Sequence, residues 1–262
     1  MDTASSGTVG VTTRRVDPAL LSHVSERMLF VGLLVVLLAG IAALIGLGYL
    51  FFYGGYGGPV DWIMGTDRHG PRERKIVALT FDDGPHPVRT PALLDALDEL
   101  DAPATFFVVG RDVRKSPSVV RRIADAGHEI GNHTYHHRYL PFARSRSVEH
   151  ELRATDRAIE DAAGVVPKVA RPPWGARRPG TVRAFARLAK RLVLWDVNSY
   201  DWKGRPAQEI VERVLERVKS GSIVLMHEAR EGGEVTIEAV RMLVPALRAR
   251  GFELVTASEA IA

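Results

Sequence analysis

From residue 75 onward, two hydrophobic rhythms alternate along the chain. Ile76-Val77-Ala78-Leu79-Thr80-Phe81 is a compact apolar run rich in β-formers and predicts a buried strand. Ala104-Thr105-Phe106-Phe107-Val108-Val109 is a second, and shorter signals at 128–131, 168–171, 192–197, 222–226 and 252–255 bring the predicted strands to seven. Between them, apolar positions recur at helical spacing over 91–100, 116–126, 148–163, 179–190, 206–219 and 235–250. Leu93, Leu94, Leu97 and Leu100 share one face of the first helix. Ile210, Val211, Val214, Leu215 and Val218 do so in the fifth, where Pro206 suits the first turn. Strands alternating with helices predict a mainly parallel α/β fold. Periodicity does not separate a doubly wound sheet from a barrel, but in both the chemistry belongs at the C-terminal strand ends.

Upstream the pattern is different. Residues 28–53 contain no charge at all, and as a helix they would reach about 39 Å, enough to cross a hydrocarbon core. A cleaved signal peptide is the competing reading, but its apolar core is shorter and ends in small residues, whereas this run continues into Tyr49, Phe51, Phe52 and Tyr53, an interfacial aromatic belt. We therefore read residues 28–53 as an uncleaved, single-pass signal anchor in the cell membrane, behind an N-terminal tail at 1–27. Arg14, Arg15 and Arg27 on one flank against Arg68 and Arg72 on the other favour the N-terminus inside, which places the remainder outside the cytoplasm. Gly54-Gly55-Tyr56-Gly57-Gly58-Pro59 opens a linker read to residue 74, and residues 75–262 form the domain.

Composition adds exclusions. Cysteine is absent, which removes disulfides, thiol nucleophiles and thiolate metal sites. Lys+Arg at 35 against Asp+Glu at 31 makes no case for nucleic acid as a partner.

The candidate chemistry sits at strand ends. The first strand runs into Asp82-Asp83-Gly84-Pro85, and adjacent carboxylates leaving a buried strand repel unless a cation or proton is shared. The third ends in His133-Thr134-Tyr135-His136-His137, and four of the nine histidines fall between 128 and 137. His133 and His137, at i and i+4, would meet on one face of a helical turn, with His133 and His136 as the alternative pair. Imidazole with carboxylate suits zinc and its neighbours. The fourth strand exits into Arg171-Pro172-Pro173-Trp174-Gly175, the fifth leads to Asp201-Trp202, and the sixth ends in Leu225-Met226-His227.

These five segments, in this order, resemble the polysaccharide deacetylase family, carbohydrate esterase family four, over residues 75–262. The resemblance implies a distorted (β/α) barrel with about seven parallel strands. It implies that Asp83, His133 and His137 bind one divalent metal, usually zinc, with other divalent transition metals as alternatives. It implies further that Asp82 is the general base, His227 the general acid, Arg171 the partner of Asp82 and Asp201 the support of His227. Trp174 is implied as an oxyanion donor through its backbone N–H, and Trp174, Trp202 and Leu225 as substrate contacts. Trp174 stands where tyrosine is commoner, Asn198 where an acid is frequent and Glu228 where aspartate is frequent. The implied activity is removal of N-acetyl groups from an N-acetylated glycan such as peptidoglycan, a chitin-like oligomer or a surface polysaccharide. The alternatives are deacylation of a polyprenyl-linked N-acyl sugar, and an inactive carbohydrate-binding module.

Overall fold

The computed structural model describes residues 18–52 and 65–262. The chain divides into two compact units between Tyr49 and Leu50. In the first, helix α1 (Pro18–Phe52) begins ten residues before the uncharged run, since nothing from Pro18 to Arg27 breaks a helix once the proline occupies its first turn. Its stretch Arg27–Gly48 has a mean hydropathy of 3.0 and none of it is buried, so it is long and apolar enough to cross a membrane. Residues 1–17 of the tail, residue 53 at the end of the predicted span and residues 54–64 of the linker lie outside the described residues.

The second unit is a curled parallel sheet wrapped by helices. Its strands are β1 (Thr66–Asp67), β2 (Ile76–Gly84), β3 (Thr105–Val108), β4 (Glu129–Asn132), β5 (Val169–Ala170), β6 (Arg191–Val193), β7 (Val197–Asn198), β8 (Ser222–Met226) and β9 (Glu253–Leu254). The spatial order is β1-β6-β5-β4-β3-β2-β8-β7, with β9 also pairing β2. All seven predicted strand regions carry strand, but the run 192–197 yields two. Leu194 N donates to Asp67 O at 2.7 Å and Asp196 N to Ile223 O at 3.3 Å, so this segment leaves one edge of the sheet and joins the other. That crossing makes the sheet a distorted barrel.

The linker reading also needs shortening. Thr66-Asp67 pairs with β6, and Gly70 N donates to Gly221 O at 2.8 Å, so 66–70 bridges the gap between β6 and β8. A two-residue strand has too few positions to display a period.

Around the sheet lie α2 (Arg89–Glu99), α3 (Gly110–Lys115), α4 (Pro117–Asp125), α5 (Ser145–Ala163), α6 (Pro179–Arg187), α7 (Ala207–Arg217), α8 (Gly233–Ala249) and α9 (Ala257–Ala260). Strand alternation divides the core in two. Val77, Leu79 and Phe81 of β2 face the helices, against Leu93, Leu97, Val240 and Leu243. Ile76 and Ala78 face the barrel interior with Phe107, Val193, Trp195 and Ile223. Each fully buried side chain of this kind stabilises the fold by about 1.5–3 kcal/mol. The same alternation turns Thr80 and Asp82 inward, where the barrel floor meets the site.

Candidate active site

Both carboxylates of the Asp-Asp pair reach the cleft because the strand stops being regular between them. Successive residues of a strand point to opposite faces. Asp83, however, has a left-handed φ of 73°, and the register of β2 against β3 shifts between Asp82 and Gly84. This irregularity re-aims Asp83 beside Asp82 instead of into the helix layer. A Cβ at Gly84 would lie 2.7 Å from Oε1 of the buried Glu228, so a side chain there would displace that carboxylate.

The two histidines converge by a route other than the predicted helical turn. Residues 133–137 form a loop in which Thr134 and His137 take left-handed φ values of 67° and 53°. Asn132 Oδ1 accepts from Thr134 N at 2.9 Å. Glu151 of α5 accepts from the backbone N–H groups of Tyr135 and His136 at 3.0 and 2.7 Å. His136 turns instead to Glu151, its Nδ1 lying 2.8 Å from Oε1, and the grouped donor atoms are those of Asp83, His133 and His137. His133 Nε2 and His137 Nε2 stand 3.4 and 2.9 Å from Asp83 Oδ1.

These three side chains could hold a metal ion, since one donor atom from each lies within 4.8 Å of the others. His133 Nδ1 lies 2.7 Å from the carbonyl of Arg171, an acceptor that places a proton on that nitrogen and turns Nε2 toward Asp83. Asp83 Oδ1 is buried and makes no hydrogen bond. A carboxylate oxygen and two imidazole nitrogens at these distances fit a divalent metal with N and O ligands. Burial opposes the charge on Asp83, but His133, His137 and Arg230 outweigh it and hold the carboxyl far below the usual range.

Asp82 is held from behind. Arg171 Nη1 donates to Asp82 Oδ1 at 2.7 Å and to Thr80 Oγ1 at 2.9 Å, while Nε and Nη2 donate to the carbonyls of Val193 and Leu194 at 3.0 and 2.8 Å. The guanidinium is wholly buried, 4.0 Å from the Phe107 ring centroid. Burial pushes its pKa down and Asp82 opposes that. Arg171→Met should therefore leave a buried carboxylate unpaired and cost about 3–5 kcal/mol of stability. Urea denaturation measures this, and an unchanged midpoint would contradict the pairing.

Across the cleft, His227 Nδ1 lies 3.0 Å from Asp201 Oδ1. Asp201 also accepts from Ser199 Oγ and Thr236 Oγ1, each at 3.0 Å, and from the His227 backbone N–H at 2.5 Å. Burial works against both charges, yet the pair prevails, so the His227 pKa lies above its ordinary value and that of Asp201 below. With Nδ1 committed to Asp201, Nε2 is the nitrogen left for the cleft.

Asp82, Asp83, His133, His137, Trp174, Trp202, Leu225 and His227 all line one cleft of about 320 Å³, with Trp195, Asn198, Tyr200 and Arg230. Arg171 lies beneath its floor and Asp201 behind His227. Sequence reasoning missed three contributors. Glu151 clamps the histidine loop from a helix. Arg230 forms an ion pair with Asp83 Oδ2. Glu228 is fully buried against Thr90 Oγ1 at 2.6 Å, and burial pushes its carboxyl up to about 7 against that hydrogen bond. Only Glu228 had a sequence signal, its place beside His227.

A family model described as polysaccharide deacetylase matches residues 69–193. A peptidoglycan-N-acetylglucosamine deacetylase of Bacillus cereus is 36% identical over 189 residues, covering 71% of this chain and 68% of that protein. A chitooligosaccharide deacetylase of Azorhizobium caulinodans is 33% identical over 204 residues, covering 73% of this chain and 97% of that one. The crystal structure of a peptidoglycan N-acetylglucosamine deacetylase superposes with a TM-score of 0.75 at 33% identity, over 78% of this chain and 97% of that one. With the fold, the motif order and this similarity in agreement, the chain belongs to the polysaccharide deacetylase family.

Proposed function

We propose that this chain is a metal-dependent N-deacetylase of an N-acetylated glycan, held at the membrane by α1 with its catalytic unit outside the cytoplasm. One observation carries the metal reading: Asp83 Oδ1, His133 Nε2 and His137 Nε2 converge within 4.8 Å of one another. The relatives named for peptidoglycan and chitooligosaccharide deacetylation support the N-acetylglucosamine class of substrate.

An amide is a poor electrophile with a poor leaving group, so hydrolysis needs an activated water, a stabilised oxyanion and a proton donor. A divalent metal in the Asp83, His133, His137 set, zinc or a related transition metal, supplies Lewis acidity toward water and the acyl carbonyl. Asp82, with Oδ1 tied to Arg171, keeps Oδ2 toward the cleft and takes the proton of the attacking water. The water oxygen bonds the acyl carbon, the C–N bond breaks, and His227 Nε2 gives its proton to the departing amine. Acetate and a free amino sugar result. Arg171 and Asp201 orient the two proton-transfer groups, and the Trp174 backbone N–H is the second oxyanion donor. Trp174, Trp202 and Leu225 hold the sugar and its acyl group.

The pH dependence follows from His227. Its pKa is raised, so the protonated, donating form is present at low pH and is lost as pH rises through that raised value. The basic limb of kcat/KM should lie above the ordinary histidine range, and Asp201→Asn should move it to lower pH. A limb unmoved by Asp201→Asn contradicts the assignment. Placement is checked by protease added to intact cells. Digestion of the catalytic unit is expected, and protection would put the substrate on the cytoplasmic side.

A further inference from the structure

Resting on the metal reading above, we infer that Arg230 is a positioning residue that tunes the metal site: it holds the second oxygen of Asp83, and its charge lowers the affinity for a divalent ion. Asp83 divides its two oxygens between opposite sides. Oδ1 stands 3.4 and 2.9 Å from the Nε2 atoms of His133 and His137, whereas Oδ2 is ion-paired with Arg230. One carboxylate oxygen is thus left for the ion, with the guanidinium on the far side of the same carboxylate.

The loop that presents Arg230 is fastened to α2, the helix that follows the Asp-Asp turn. Arg89 Nη1 donates to the carbonyls of Ala229 and Arg230 at 3.0 and 2.9 Å, and its Nε donates to Glu234 Oε1 at 2.7 Å. Thr90 Oγ1 donates to the buried Glu228 at 2.6 Å. Gly233 N donates to Arg230 O at 3.0 Å, and a Cβ at Gly233 would lie 1.9 Å from the Glu228 carbonyl oxygen, so the loop closes tightly on itself. The ligand and its cation therefore sit on two segments tied to one helix. Of the residues lining the cleft, Arg230 is the one with a permanent positive charge. The neighbouring carboxylates already have partners, Asp82 in Arg171 and Asp201 in His227.

A cation beside a metal-ligating carboxylate acts in two opposed ways. Its hydrogen bond orients the ligand and favours binding, while its charge repels the ion. The charge prevails here, because Asp83 is oriented without Arg230. Its φ of 73° turns the side chain to the cleft, and its Oδ1 faces both imidazoles. Electron density that Arg230 draws from Asp83 is not donated to the ion, so the site gives up binding strength in favour of Lewis acidity.

The test measures the Zn2+ affinity of the full chain in detergent by competition with a fluorescent chelator, a readout that needs no turnover. Arg230→Met keeps apolar bulk without the charge and should bind Zn2+ about tenfold more tightly than the wild type. Arg230→Lys restores a charge and should return the affinity toward the wild-type value. The gap between Arg230→Met and wild type should narrow as salt rises, since repulsion at a part-exposed site is screened. Arg241→Met removes an exposed cation paired with Glu99 at the other end of α2 and should change nothing. Equal or weaker zinc binding by Arg230→Met overturns the inference and leaves the deacetylase reading standing. So does tighter binding that Arg230→Lys shares, or a gap that salt does not narrow. Tighter binding in Arg230→Met alone, with no acetate released by the zinc-loaded wild type, upholds the inference and overturns the deacetylase reading instead. A wild type that binds no zinc removes the metal site and this inference with it.

Discussion

Asp83→Ala is expected to abolish stoichiometric metal binding and to lower kcat/KM at least about a thousandfold, since the metal and the polarisation it provides are lost together. The geometry makes this side chain the pivot of the ligand set. Its Oδ1 is the atom both imidazoles approach, and its Oδ2 is taken by Arg230. His133 and His137 cannot compensate, because two neutral imidazoles offer no negative charge to a divalent ion. His137→Ala should show the same pattern in smaller measure, as it leaves one carboxylate and one imidazole. Metal content after dialysis, measured beside acetate release, checks both. Full metal retention with full activity in either variant would remove the assigned site.

His227→Ala should lower kcat by about 10²–10⁴-fold while leaving metal content unchanged, because the proton for the departing amine has no other positioned source. The variant separates proton donation from metal chemistry, since His227 lies across the cleft from the ligand set and its Nδ1 is spent on Asp201. Its residual activity should lose the basic limb seen in the wild type. A substrate whose leaving group needs no proton, such as an activated aryl ester, should be hydrolysed with far less loss. Equal losses on amide and activated ester would make His227 a structural residue.

Much of this site was legible because its chemistry interrupts apolar strands. Asp82, Asp83 and His227 each follow an apolar run whose burial is evident from composition, and a polar group at such an end stands out. What stayed hidden depends on contacts distant in sequence or on backbone irregularity. The spacing of His133 and His137 suggested a helical turn, whereas Asn132 and Glu151 fold the segment into a loop that brings the same two rings together. Arg230 has no local pattern, because its partner Asp83 lies 147 residues away. The split of 192–197 into β6 and β7 follows from closure of the sheet, and one continuous apolar run cannot announce that it changes edges. β1 gains its place only from pairing with β6.

The central claim is that acyl hydrolysis depends on one metal held by Asp83, His133 and His137. Its most direct test is a titration of chelator-stripped full-length enzyme with Zn2+, following acetate release from an N-acetylated glycan against metal bound per chain. The account predicts a linear rise to a plateau at one equivalent, absent in Asp83→Ala. Acetate release at the full rate by the stripped enzyme, or glycan binding without acetate release at full metal occupancy, would contradict it.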